Sequence, residues 1–167
     1  MRFKILGRHT GLRVSALALG TGMFGTKWGH GADAEESRRM FSGYIEAGCY
    51  LLDTSDSYQF GESEELVGQF IRPMRDDVVL ATKYTQGADP TGSVSVTGNS
   101  RKAMVRSLEQ SLKRLGTDRV DLYWVHIPDG VTPIDEIMRG LEDLVRSGKV
   151  LCVGLSESQC DTARFFA

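Results

Sequence analysis

The stretch CYLLDTSDSYQFGESEELVG, residues 49–68, places a carboxylate at the mouth of an apolar strand. Residues 50–53 predict a short buried strand that ends in Asp53, and the helix predicted at residues 63–71 follows a loop that contains Tyr58. A carboxylate at the edge of a hydrophobic core is costly unless a cation or hydrogen-bond donors pair with it. The remainder of the chain must therefore bring a partner to Asp53.

Apolar strands and amphipathic helices alternate along the rest of the chain. Strands are predicted at residues 16–20, 50–53, 78–83, 120–126 and 149–156, and helices at residues 33–48, 63–71, 100–116, 132–148 and 158–167. Residues 3–7 and 12–15 flank a turn and predict an N-terminal hairpin. Strict alternation of strand and helix favours a parallel sheet with helical crossovers.

Capping residues and apolar spacing define the helix limits and inner faces. Asp33 and Thr132 predict N-caps, and Gly48 and Gly116 predict helix ends. The inner face of the first helix is predicted to comprise Met40, Phe41, Tyr44 and Ile45.

Composition restricts the class of protein. The 167 residues are 41% hydrophobic and 25% charged, which predicts one domain, residues 1–167, with a real core. A net charge of -2 argues against non-specific nucleic-acid binding, and the lack of long apolar runs argues against a membrane span or signal peptide. Cys49, Cys152 and Cys160 fit neither a zinc pattern nor a disulfide framework, so we expect no metal and a cytoplasmic location.

Residues 20–25, GTGMFG, match the glycine fingerprint of dinucleotide-binding folds, and Asp53 ends the following strand as a ribose-binding acid would. That fingerprint must open directly into a helix whose N-terminus holds the pyrophosphate. Here residues 26–32 intervene before the predicted helix, so this interpretation remains the less favoured alternative.

Polar residues end four successive predicted strands: Asp53, Lys83, His126 and Ser156. In parallel α/β folds this edge of the sheet binds ligands. A doubly wound sheet would separate Lys83 from His126 by roughly 14 Å at about 4.8 Å per strand. In a barrel the same strands are consecutive neighbours, and only that arrangement lets Asp53, Lys83 and His126 converge with Tyr58.

Such a cluster can protonate a carbonyl oxygen. A tyrosine hydroxyl is a poor acid at neutral pH, and a nearby ammonium favours its ionised form. Asp53 would hold Lys83 charged, Tyr58 would give its proton to the oxygen as hydride reaches the carbon, and His126 would orient that oxygen. Taken singly, these residues are more often caps, solvated charges or packing groups, so the hypothesis depends on all four occurring in this order.

Several segments resemble the signatures of the aldo-keto reductases, in particular the bacterial members of the aryl-alcohol-dehydrogenase-like kind. They lie at residues 6–25, 53–68, 80–83, 98–126, 121–129 and 141–157. The resemblance implies a (β/α)8 TIM barrel with an N-terminal hairpin, and reduction of aldehydes or ketones with NADPH. It also implies that Asp53, Tyr58, Lys83 and His126 are the catalytic tetrad, with Tyr58 as the proton donor.

The same resemblance assigns cofactor and substrate positions. The implied cofactor-binding residues are Gly20, Thr21, Asp53, Ser156 and Glu157, the last standing where the family often has Asn. Phe24 and Trp28 on the first loop are candidate walls of the pocket for a small carbonyl substrate, with loop packing as an equal alternative.

The number of predicted strands is smaller than the fold implied by the resemblance requires. Barrels of this type have eight strands and about 250 residues, whereas five strands are predicted here. We therefore expect the N-terminal part of a longer chain, with self-association through open barrel edges. A non-catalytic regulatory subunit, similar to the β subunits of potassium channels, stays open as the alternative function.

Overall fold

A hairpin opens the chain, and strands then alternate with helices. The computed structural model describes residues 1–8 and 10–156. The strands are β1 (Phe3–Ile5), β2 (Arg13–Ser15), β3 (Ala18–Gly20), β4 (Leu51–Asp53), β5 (Val79–Tyr84), β6 (Val120–Val125) and β7 (Val150–Leu155). The α-helices are α1 (Ala34–Glu46), α2 (Glu62–Ile71), α3 (Arg101–Leu115) and α4 (Ile134–Arg146), with 3-10 helices at Tyr58–Gly61 and Arg72–Asp77. Glu157, Cys160 and the helix predicted at residues 158–167 lie outside the described residues.

The sheet topology confirms the predicted barrel order. β1 and β2 form an antiparallel hairpin, whereas β3, β4, β5, β6 and β7 are parallel and adjacent in sequence order. The register places Gly20 opposite Asp53, Asp53 opposite Ala81, and Ala81 opposite Leu122. Each crossover helix therefore links neighbouring strands, and the carboxyl ends of β4, β5 and β6 lie side by side.

The dinucleotide-binding alternative for residues 20–25 is wrong. Residues 20–32 form turns and one isolated bridge between Phe24 and Ala32, and α1 begins only at Ala34. The glycines therefore do not open into a helix N-terminus, which is what a pyrophosphate would require.

Two details of the helix predictions are wrong and others are confirmed. Asp33 caps α1 by accepting a 2.9 Å hydrogen bond from the Glu36 amide. Thr132 does not cap α4, which starts after Pro133, because its hydroxyl donates to Asp129 instead. Met40 is 42% exposed, since the buried side of α1 runs through Ser37 and Phe41, about 100° away around the helix.

The hydrophobic core lies between the sheet and the helices. Leu52, Leu80 and Tyr123 are fully buried in one cluster with the apolar faces of the helices. α2 approaches α3 closely at Gly68, where a Cβ atom would stand 2.5 Å from the carbonyl oxygen of Leu115. None of the described helices is long and apolar enough to cross a lipid bilayer.

Candidate active site

Asp53 has the partner that its position demands. Lys83 at the end of β5 donates from Nζ to Asp53 Oδ2 at 2.7 Å, to the Thr54 carbonyl at 2.8 Å and to Tyr58 Oη at 3.0 Å. Lys83 is buried, and these three acceptors can take all three protons of its ammonium group. A single cation thus joins the carboxylate to the tyrosine hydroxyl.

A strained loop presents Tyr58 to this cation. Gln59 and Phe60, directly after it, adopt left-handed conformations with φ of 51° and 52°. Such conformations cost about 1–2 kcal/mol per non-glycine residue and persist only where the surroundings fix them. Here the buried Gln59 side chain accepts from the Trp28 amide at 2.8 Å and donates to the His30 carbonyl at 3.0 Å. The first loop therefore holds the Tyr58 loop in place.

His126 completes the cluster predicted from the strand ends. It is buried, and its ring packs edge-on against Tyr58 with centroids 5.9 Å apart. Its main-chain amide donates to the Tyr84 carbonyl at 3.1 Å, and Ser55 Oγ lies 3.2 Å from its Nδ1. The structure thus brings Asp53, Tyr58, Lys83 and His126 to one edge of the sheet.

A second carboxyl lies behind His126. Asp56 is 1% exposed, and its Oδ1 accepts a 3.3 Å hydrogen bond from the hydroxyl of Ser55. Burial, reinforced by the negative charge of Glu64, raises the pKa of Asp56 to about 7, although Arg114 acts in the opposite direction. Neither Ser55 nor Asp56 stands out in the sequence, because a Ser-Asp pair after a strand is also the usual composition of a turn.

The same edge opens into a cavity of about 330 Å³ inside the arc of strands. Gly20, Asp53, Lys83, Trp124 and Ser156 line it, together with apolar strand residues and Leu6 of the N-terminal hairpin. A Cβ atom built on Gly20 would meet nothing within 4 Å, so this strand end faces open space.

Of the other residues expected at the cofactor and substrate positions, one lies beside Tyr58 and two are buried in loop packing. Trp28 is 37% exposed and meets Tyr58 edge-on at 6.3 Å, as a pocket wall would. Thr21 is fully buried with its hydroxyl 2.8 Å from that of Ser63, so it packs the loop and does not face the cavity. Phe24 is 2% exposed and packs on Phe70, which favours the loop-packing alternative for this residue.

Comparison with known proteins agrees with this architecture. Residues 16–164 match the sequence model of the Aldo/keto reductase family. The chain is 39% identical to aldo-keto reductase YhdN of Bacillus subtilis over 164 residues, which cover 95% of this chain and 49% of that protein. It is 38% identical to the aryl-alcohol dehydrogenase [NADP(+)] of Phanerodontia chrysosporium over 172 residues, covering 92% of this chain and 45% of the relative.

A solved structure gives the same picture. The holo form of aldo-keto reductase AKR11C1 from Bacillus halodurans superposes with a TM-score of 0.86 at 30% identity, covering 99% of this chain and 53% of the other. The chain thus spans about half the length of the proteins that it matches. The five parallel strands and the hairpin correspond to part of a (β/α)8 barrel.

Proposed function

The chain belongs to the aldo/keto reductase family, and on that premise we propose that it carries the proton-donating site of an NADPH-dependent enzyme that reduces aldehydes or ketones to alcohols. One observation carries the proposal: the Lys83 ammonium stands 2.7 Å from Asp53 Oδ2 and 3.0 Å from Tyr58 Oη. An oxidoreductase role follows from the family, and one relative bears NADP(+) in its name.

Tyr58 is the proton donor in this proposal. When its hydroxyl proton passes to the carbonyl oxygen, a phenolate remains on Tyr58, and the Lys83 charge at 3.0 Å stabilises it. Asp53 keeps the ammonium in position. A general acid of this kind typically contributes 10²–10⁴-fold to a rate, and burial of Lys83 strengthens its effect on the developing charge.

His126 orients the substrate oxygen. Its ring stands edge-on to Tyr58, so a carbonyl oxygen beside the Tyr58 hydroxyl also lies within reach of the imidazole. A hydrogen bond from that ring, together with the one from Tyr58, fixes the direction of proton transfer.

The residues around the cavity fit a nicotinamide cofactor. Gly20 leaves open space at the end of β3, and Asp53 and Ser156 place polar atoms on the walls of the same cavity. These three residues would hold the ring, whereas Thr21 is buried and would act only by packing. Reduced nicotinamide bound there would supply the hydride that carbonyl reduction needs.

We infer that the substrate is an aromatic carbonyl compound. The Trp28 indole forms an edge-on aromatic contact with Tyr58 and also with Phe60 at 6.4 Å, so flat apolar surfaces border the proton donor. Aromatic rings prefer such neighbours by about 0.5–1.5 kcal/mol beyond the area that they bury. The name of the aryl-alcohol dehydrogenase relative points to the same class.

The test is NADPH oxidation with 4-nitrobenzaldehyde by the product of the intact gene. We expect Tyr58→Phe to lower kcat by at least 100-fold, because phenylalanine has no proton to give, and to leave the cofactor Kd within about twofold. Tyr50→Phe, the same substitution just before β4, is the matched control and should retain wild-type turnover.

Two outcomes would contradict the proposal. More than about a tenth of wild-type activity in Tyr58→Phe would mean that Tyr58 is not the acid. An absence of turnover in the wild-type protein across several aromatic aldehydes would favour the non-catalytic regulatory subunit.

A further inference from the structure

Ser55 lies between two side chains that can each hold or release a proton. Its Oγ is 3.3 Å from Asp56 Oδ1 and 3.2 Å from His126 Nδ1. All three residues are buried, with Ser55 fully inaccessible. A hydroxyl has one proton and accepts others, so it can give that proton to only one of these neighbours at a time.

The two possible directions correspond to different forms of His126. If Asp56 is neutral, it donates to Ser55 Oγ, the Ser55 hydroxyl donates to Nδ1, and the imidazole proton resides on Nε2. If Asp56 is ionised, Ser55 donates to the carboxylate and accepts from Nδ1–H, and Nε2 carries a lone pair. The second state contains one proton fewer, and the balance is met by release of that proton to solvent.

We propose that Ser55 transmits the protonation state of Asp56 to His126, so that neutral Asp56 selects the Nε2–H tautomer and ionised Asp56 selects the Nδ1–H tautomer. The inference deepens the proposed function and rests on it for the role of His126. An Nε2–H donor suits a carbonyl oxygen, whereas an Nε2 acceptor suits the hydroxyl of an alcohol. Ser55 and Asp56 are therefore positioning residues that act through His126.

The surroundings of Asp56 allow it to change state near neutral pH. Burial and the Glu64 carboxylate on α2 raise its pKa to about 7, while Arg114 on α3 opposes them. Tyr123 on β6 is the other titratable group facing it, and this residue stays protonated because burial raises its pKa. The Ser55 hydroxyl and the Gly87 main chain also act to lower the pKa of Asp56, but among the described residues Asp56 Oδ2 is buried without a hydrogen bond of normal geometry, which is less costly for a neutral carboxyl than for a charged one.

Ser57 is the competing acceptor. Its Oγ lies 3.1 Å from Ser55 Oγ and donates to Gln86 Oε1 at 3.1 Å. The Ser55 hydroxyl could therefore donate its proton to Ser57 and to neither Asp56 nor His126. Removal of the Ser57 hydroxyl is consequently the matched control for the Ser55 relay.

The experiment is long-range ¹⁵N–¹H correlation NMR on the product of the intact gene with ¹⁵N-labelled histidine. The His126 signals are assigned by their loss in a His126→Gln variant, and spectra are recorded from pH 6 to pH 8.5. The method separates the two neutral tautomers from the imidazolium ion without cofactor or substrate. A failure of catalysis therefore does not affect the result.

We expect wild-type His126 to pass from the Nε2–H to the Nδ1–H form as the pH rises through 7. Ser57→Ala should retain this change, and Ser55→Ala should abolish it. Asp56→Asn cannot ionise, although its amide can either donate to Ser55 or accept from it, so this variant should show the same His126 form at every pH in the range. If Asp56→Asn does not fold, Ser55→Ala still decides. A single tautomer at all pH values, a direct change from imidazolium to Nδ1–H, or an unaltered response in Ser55→Ala would overturn the proposal.

Discussion

Lys83 uses each of its ammonium protons within the site. Its three acceptors belong to Asp53, Thr54 and Tyr58, and all lie within 3.0 Å of Nζ. A lysine held in this way keeps its charge at one point instead of sweeping through solvent on a flexible stem. The tyrosine hydroxyl therefore always has a cation beside it, whatever the state of the cavity.

Lys83→Met should lower kcat for carbonyl reduction by about 10²-fold or more in the product of the intact gene, with a smaller change in KM. The thioether fills much of the same space but cannot stabilise the phenolate that Tyr58 becomes. Steady-state kinetics against 4-nitrobenzaldehyde measures the effect. Lys102→Met, on the exposed side of α3, is the control and should behave as wild type. A change confined to KM would mean that Lys83 binds substrate and does not act on Tyr58.

Asp56→Asn should alter the pH dependence of stability. The Asp56 pKa rises from 3.8 to about 7 on folding, so between these values the folded state holds a proton that the unfolded state releases. The stability that this carboxyl contributes is complete below pH 4 and is lost as the pH rises to 7, at up to about 1.4 kcal/mol per pH unit. Asparagine does not titrate, so the wild-type loss should be absent in the variant.

Urea denaturation at several pH values between 4 and 8 checks this prediction. As the pH rises, the unfolding free energy of the wild type should fall relative to that of Asp56→Asn. A difference that is constant with pH would show that the carboxyl titrates normally in the folded chain.

The close contact between α2 and α3 requires glycine at position 68. Gly68 has the Leu115 carbonyl oxygen 2.5 Å from where its Cβ would stand, so the helices approach as closely as their main chains allow. α2 follows the Tyr58 loop, and Glu64 on α2 pairs with Arg114 on α3 at 2.7 Å. If α2 and α3 moved apart, α2 would shift together with the Tyr58 loop that precedes it.

Gly68→Ala should destabilise the protein by about 1–3 kcal/mol, because the methyl group meets main-chain atoms that cannot turn aside. Gly43→Ala is the matched control, since it also lies in a helix but its Cβ would meet nothing within 4 Å. That substitution should stabilise by roughly 0.5–1 kcal/mol through the helix propensity of alanine. Thermal unfolding of both variants measures the contrast, and equal effects would refute the close-contact explanation.

The strand order could be predicted from the sequence because the proposed chemistry requires the residues that end the strands to meet. Asp53, Lys83 and His126 end successive strands, and only sequential neighbours could bring them together. Side-chain direction was less accessible: Met40 and Phe41 are both apolar, and only the packing of α1 shows which one is buried. Thr21 and Phe24 stand in a loop, where no periodicity indicates whether a residue faces the cavity or the core.

The relay through Ser55 was beyond sequence reasoning for a different reason. Ser55 and Asp56 are adjacent in the loop after β4, but His126 at the end of β6 is 71 positions from Ser55, and their relation depends on the 3.2 Å distance between Ser55 Oγ and His126 Nδ1. The pKa of Asp56 follows from burial, which a short polar segment does not reveal. Sequence therefore predicted the residues that end strands, but not the residues that act through them.

The parallel sheet has two outer strands among the described residues. β3 and β7 each pair on one side only within residues 10–156. Leu151 on β7 is 48% exposed and Leu17, just before β3, is 63% exposed. Unpaired strand edges that carry apolar side chains recruit other strands.

We expect the 167-residue chain expressed alone to self-associate through these edges. We also expect it to bind NADPH weakly and to show no measurable reductase activity, because it spans only about half the length of the reductases that it matches. Light scattering with calorimetric titration of NADPH checks both expectations. A monomer that binds NADPH at micromolar affinity or better would show that this unit is self-sufficient.

The placement of the two tryptophans has a spectroscopic consequence. Trp124 lines the cavity beside Gly154, and Trp28 lies against the tyrosine that we assign as proton donor, so each indole stands near a different ligand position. The sequence contains no other tryptophan. Emission from a Trp28→Phe protein would consequently come from the cavity wall alone, where a reduced nicotinamide would quench it by energy transfer. In this 167-residue chain, emission from Trp124→Phe would come only from Trp28 beside Tyr58, so the weak cofactor binding that we expect of it and the occupation of the substrate position could be followed separately by intrinsic fluorescence.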